Sequence, residues 1–104
     1  MQVTKEERED ARVIKVDGAM TIYEASELRD AFLEGFAAPG GLVLDLEAVT
    51  ECDTAGVQLL CAARVTAETE SRPFRIAAVS DAVRDALGAA GLSLEAVLPR
   101  MEEV

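Results

Sequence analysis

Between Gly40-Gly41 and the acidic stretch that opens at Glu47, the chain reads Leu42-Val43-Leu44-Asp45-Leu46. Nearly unbroken apolar sequence of this length, bounded by turn signals, predicts a strand covered on both faces, the pattern of a sheet with parallel neighbours. The flanking segments fit that frame. Val13-Ile14-Lys15-Val16 reads as a short strand stopped by Asp17-Gly18. Thr21-Ile22-Tyr23-Glu24 has the form of a capping box, and Leu28, Phe32, Gly35 and Phe36 follow at helical spacing until Pro39-Gly40-Gly41 breaks the pattern.

After the central strand, Thr50-Glu51-Cys52-Asp53-Thr54 reads as a polar link. A second helix is predicted from Ala55 to about Glu70, with Val57, Leu60, Cys61, Arg64 and Val65 along one stripe and Leu59, Ala62 and Ala63 widening the apolar surface. Ser71-Arg72-Pro73 resets the chain, and Phe74-Arg75-Ile76-Ala77-Ala78-Val79 is a further strand. Ser80 is placed to cap a third helix carrying Val83, Leu87 and Ala90, with Gly91 as a left-handed stop. Leu92, Leu94, Val97 and Leu98 fit either a short last strand or a single helical turn. The first ten residues, almost all polar or charged, read as a solvated lead-in, and 11–104 as one domain. Strand and helix alternate, which argues an α/β domain.

Charge then narrows the function. The 104 residues carry 20 acidic and 10 basic side chains and no histidine, for a formal net charge of −10. Such a surface repels phosphate backbones, so direct nucleic-acid binding is not expected. No apolar run is long enough to span a bilayer, and the charged N-terminus lacks the apolar core of a signal peptide, so neither membrane insertion nor export is expected. Two cysteines form no disulfide framework, and a reducing cytoplasm is the expected compartment. Without imidazole there is no Ser-His-Asp triad and no His-ligated metal. The expectation is a protein that is not an enzyme and needs no cofactor.

The segment that carries a specific signal is Thr50 to Leu60. A buried strand delivers a short acidic turn, and that turn opens a helix with Asp53-Thr54-Ala55-Gly56-Val57. Asp53 or Thr54 can cap the free amides of the helix N-terminus. Gly56 in a first helical turn lowers propensity, so close packing is the expected reason for it. Two readings of Thr54 fit the local pattern: part of a plain cap, or a site of modification and partner contact.

Asp53-Thr54-Ala55-Gly56-Val57 resembles the motif of the STAS domain, the fold of bacterial anti-sigma-factor antagonists and of the cytoplasmic tails of sulphate transporters. The resemblance takes in the Asp17-Gly18 loop, Ala77-Ala78-Val79-Ser80-Asp81-Ala82-Val83 and Gly91-Leu92, which is almost the whole chain. It implies a small mixed sheet of about four to five strands with helices packed on it. It also implies a partner switch, in which an unmodified antagonist binds an anti-sigma factor or kinase-like regulator and phosphorylation of the hydroxyl after the motif Asp breaks the complex. Carried over, the acceptor is Thr54, and Asp53, Thr54, Ala55, Gly56 and Val57, with Thr21 and Tyr23, form the docking surface.

Thr54 stands where many antagonists have Ser, Ala55 where they have a second hydroxyl, and Ala19-Met20-Thr21 lacks an acidic residue common in that loop. The resemblance therefore also admits a constitutive subunit of a larger assembly, such as an ATPase-driven lipid-transport complex. Thr21-Ile22-Tyr23-Glu24-Ala25-Ser26-Glu27-Leu28 and Gln58-Leu59-Leu60 look most like the chemotaxis-associated members.

Other features have plainer readings. Cys52 and Cys61 lack CxxC spacing, and core packing is expected for them, with a disfavoured thiolate at Cys52 beside acidic groups. Asp45, Glu47, Glu51 and Asp53 read as an acidic docking rim and not as a metal site. Tyr23 reads as a packing residue at a helix start.

Overall fold

The chain opens with a strand, not a lead-in. β1 (Gln2–Arg8) pairs antiparallel with β2 (Ala11–Met20) from Gln2↔Asp17 to Arg8↔Ala11. The two-residue turn between them, Glu9-Asp10, has φ of 51° and 72°. Positive φ at both positions is the twist-matched hairpin turn, here made without glycine. In this computed structural model, residues 1–98 are described.

β2 also outruns its predicted stop. Gly18, at φ +106°, bulges the strand without ending it, and the chain continues paired to Met20. Arg12–Lys15 pair parallel with β3 (Leu42–Leu46), whereas Gly18–Met20 pair parallel with β4 (Val49–Cys52). Three of the five residues predicted as a polar link, Thr50, Glu51 and Cys52, are thus strand. β5 (Phe74–Val79) runs parallel to β3 on its other side. The result is a five-stranded mixed sheet in the order β1-β2-β3-β5, with β4 joined to β2.

Three helices follow the parallel strands: α1 (Ala25–Gly35), α2 (Thr54–Glu70) and α3 (Asp81–Ala89). They cover one face of the sheet. Ile14, Val16, Leu42, Leu44, Leu46 and Phe74 meet Leu28, Phe32, Val57, Leu60, Val83 and Leu87 in a single core. Burying such side chains supplies about 1.5–3 kcal/mol each before entropy is set against it. The other face departs from expectation. Val13 and Val43 are buried there, yet none of the described helices lies over them. They sit in a concavity shared with Arg8, Lys15, Asp45 and Arg75. Long cationic side chains shield the small apolar strip while keeping their charges in water.

Helix ends follow local chemistry. Ser80 Oγ accepts from the Val83 N–H at 3.3 Å. At the end of α3, Leu92 N–H donates to the Leu87 carbonyl and Gly91 N–H to the Gly88 carbonyl, with Gly91 at φ +75°. This is the left-handed stop expected at Gly91. Ala90 is exposed, outside the α3 stripe. The tail forms a 3₁₀ turn (Leu94–Val97), which resolves the choice between strand and helical turn and buries Val97. Residues 99–104 of the expected domain lie outside the described residues.

Candidate functional site

Three pieces of chain converge at the mouth of α2: the turn after β2, the end of β4 and the first turn of α2. Asp53 is the N-cap, in an extended conformation, and its Oδ1 accepts the Gly56 N–H at 3.1 Å. Its Oδ2 accepts the Ile22 N–H, also at 3.1 Å. One carboxylate therefore closes the helix start and fastens the β2–α1 turn to it. Partial burial pushes the Asp53 carboxyl up. The N–H groups of Ile22, Gly56, Ala55 and Asp53 itself together outweigh that and hold it below the usual aspartate range.

Thr54 is the first residue of α2 and is exposed. Its hydroxyl makes no hydrogen bond to any described residue, since Asp53 performs the capping. The plain-cap reading therefore falls on Asp53, and Thr54 is an exposed residue beside it.

Burial divides the five motif residues. Ala55 is half-buried, whereas Gly56 and Val57 are buried and face the protein interior. The close approach expected at Gly56 is intramolecular: a Cβ there would strike the Met20 carbonyl oxygen and lie 2.7 Å from Cys52 Sγ. Gly56 lets α2 start against the end of β2, which is what brings Asp53 to Ile22. Gly56 and Val57 thus lie beneath the surface on which Thr54 is exposed.

Thr21 and Glu24 do pair, one turn earlier than a helix cap would require. Glu24 Oε1 accepts from the Thr21 hydroxyl at 2.7 Å and from its N–H at 3.0 Å. The Thr21 hydroxyl and then its N–H hold the Glu24 carboxyl below the usual range. Thr21 Oγ1 accepts the Tyr23 N–H at 3.3 Å. The capping-box residues therefore lock a turn ahead of α1, and the helix begins at Ala25. That locked turn projects its two middle side chains outward. Tyr23 is 91% exposed, so it is no packing residue, and Ile22 is 64% exposed. Ile22 was not singled out from the sequence; its signal is a large apolar residue inside an otherwise polar turn.

The acidic rim is likewise divided. Asp45 lines the concavity on the opposite face of the sheet and accepts the Glu47 N–H at 3.1 Å, while Asp53 serves the α2 mouth. Among the described residues no three Cys, Asp or Glu converge in a way that could hold a metal ion. Both cysteines are free thiols packed partly against the core. Burial first, and the Asp53 charge second, push the Cys52 thiol up to about 11, which keeps it protonated. Among the described residues no helix is long and apolar enough to cross a membrane.

Comparison with known proteins adds the following. A family model described as "Mlab, STAS domain" matches residues 3–99. The fold is similar to that of an anti-sigma factor antagonist from Mycobacterium paratuberculosis, with a TM-score of 0.75 and 24% identity over 99% of this chain and 86% of that one. It is similar to a serine-to-glutamate variant of RsbS from Moorella thermoacetica, with a TM-score of 0.71 and 22% identity over 99% and 89% of the two chains. Unphosphorylated SpoIIAA, an anti-sigma factor antagonist, aligns with a TM-score of 0.57 and 18% identity over 72% of this chain and 71% of its own. No curated protein sequence matches this chain.

Proposed function

The chain belongs to the STAS-domain family, and on that premise we propose that it is a cytoplasmic, non-catalytic regulatory protein that docks on an anti-sigma factor or kinase-like regulator and is released by phosphorylation of Thr54. The observation that carries this reading is an exposed threonine, Thr54, beside a carboxylate that is already engaged by two N–H groups.

A phosphoryl group would add a charge of about −1.5 to −2 at neutral pH. The helix N-terminus tolerates an anion, so the fold survives the change. Asp53 already takes the Gly56 and Ile22 N–H groups, so the new charge has few amides left to face and projects toward solvent. It falls on the surface that Ile22 and Tyr23 share with Thr54. A partner seated there meets added charge, bulk and bound water. The change is one of docking surface, not of fold.

The test is titration calorimetry of the wild type, Thr54→Ala and Thr54→Glu against each anti-sigma factor and kinase-like regulator encoded in the source genome. Wild type and Thr54→Ala are expected to bind one of them, and Thr54→Glu to bind it at least about tenfold more weakly, a change of about 1.4 kcal/mol. Equal affinity for wild type and Thr54→Glu would overturn the switch and favour a constitutive subunit.

A further inference from the structure

Among the described residues the exposed large hydrophobics are Met1, Ile22, Tyr23, Leu33 and Val65, and the last four all lie along the α1–α2 side of the molecule. α1 and α2 each connect parallel strands, so they run parallel to each other, with both N-termini at the Asp53–Ile22 hydrogen bond. Between their later turns lies a groove of about 440 Å³. Its floor is Phe32, Phe36 and Leu59, and Leu33, Val65 and Arg29 stand at its rims. On α2 the exposed residues Thr54, Gln58, Ala62 and Val65 form one unbroken stripe from the switch site into this groove. Three turns of helix separate its ends, roughly 16 Å.

Leaving Leu33 and Val65 in water serves no purpose in the fold. Both stand on helices whose inward faces are already filled. Electrostatics adds a direction. Parallel helices sum their dipoles, so the Thr54 end is positive and the far end negative. The last turns of α1 and α2 contain no basic residue of their own; Glu34 pairs with Lys5 of β1 at 3.3 Å, so the negative character of the far end rests on the two dipoles and Glu70.

We propose that the α1–α2 groove receives an amphipathic helix of the protein partner, lying antiparallel to α1 and α2, with its C-terminal end beside Thr54. Its apolar residues at i, i+4, i+7 and i+11 match a groove of this length. Antiparallel packing sets the positive end of the incoming helix against the negative ends of the two dipoles, and its negative end against the two N-termini. This rests on the switch reading and specifies it: a phosphate on Thr54 would sit against the negative end of the bound helix and push it away.

The test uses a hydrocarbon-stapled basic peptide of about 15 residues with leucines at that spacing, carrying a nitroxide at one end or the other, and the isotope-labelled full chain. Saturable NMR shifts at Leu33, Ala62 and Val65, with broadening at Thr54 from the C-terminal nitroxide only, are expected. The double variant Leu33→Asp/Val65→Asp, checked for its fold by circular dichroism, is expected to lose at least about tenfold in peptide affinity. Absence of saturable shifts in the groove, shifts at Val13 and Val43 on the opposite face, or broadening from the reverse end would overturn the proposal. Concentration-dependent shifts at the same residues without peptide would also overturn it, since a second copy would then be the occupant. None of these results depends on modification of Thr54, so the groove and the switch fail separately.

Discussion

The Ile22 N–H donates to Asp53 Oδ2 at 3.1 Å across 31 residues of chain, while Oδ1 of the same carboxylate caps α2 through Gly56. The residue before the candidate acceptor thereby fixes the loop that displays Ile22 and Tyr23. Replacing Asp53 with Asn separates the two duties. Asn caps helices as well as Asp, but its amide nitrogen cannot accept from a second N–H. Asp53→Asn should leave the Gly56 amide protected and speed hydrogen exchange at Ile22, read residue by residue by NMR. Unchanged protection at Ile22 would show that the tether is not what orders the loop.

Tyr23 has almost no contact to lose within the chain. Tyr23→Ala should move stability by no more than about 0.5 kcal/mol in urea unfolding. If Tyr23 anchors a partner, the same change weakens binding about tenfold or more. A stability loss with intact binding would assign Tyr23 to the fold.

Two helical glycines should respond with opposite signs. At Gly56 a methyl would meet the Met20 carbonyl and Cys52 Sγ, so Gly56→Ala should cost about 1–3 kcal/mol. At Gly88 nothing lies within 4 Å, so Gly88→Ala should gain about 0.5–1 kcal/mol from helix propensity. Chemical denaturation of both variants checks the pair.

The site also sets a pH dependence. The Asp53 and Glu24 carboxyls are held below the usual carboxylate range by the N–H and O–H groups that donate to them. A depressed carboxyl stabilises the fold above its unfolded pKa and stops doing so as pH falls through the folded value. The urea midpoint should therefore stay level from pH 8 to about 5 and decline below about 4.5. Cys52 acts at the other end. Burial pushes its pKa from an ordinary 9.0 up to about 11, so its contribution is whole below 9.0 and fades as pH rises toward 11. Cys52→Ala should flatten that alkaline limb, and Asp53→Asn should shrink the acid one.

The parts of the fold legible in the sequence are those whose side chains face one environment. Leu42–Leu46 reads as a strand because both its faces are buried, and Ser80 and Gly91 read as helix ends because cap chemistry is local. β1 escapes notice because it is an edge strand: Val3 packs on the core, while Thr4, Lys5, Glu7 and Arg8 are exposed, and its turn, Glu9-Asp10, has no glycine to announce it. β4 escapes because only Val49 in it is buried. Val65 shares a predicted stripe of α2 with Val57 and Leu60, yet they are buried and it is 56% exposed. α2 is apolar nearly all round, so periodicity alone could not orient it. At the site, Asp53, Thr54 and Gly56 were visible as a motif. The tether to Ile22 was not, because a hydrogen bond across 31 residues leaves no trace in local pattern.

Thr54 as a residue whose state is changed and read is the claim on which the rest depends. Phosphate-affinity electrophoresis of the protein from its own cells, with wild type and Thr54→Ala side by side across growth and stress conditions, tests it most directly. The account predicts a retarded species that appears in some conditions and is missing from Thr54→Ala in all of them. A single unshifted band throughout, or a retarded band that persists in Thr54→Ala, would contradict it.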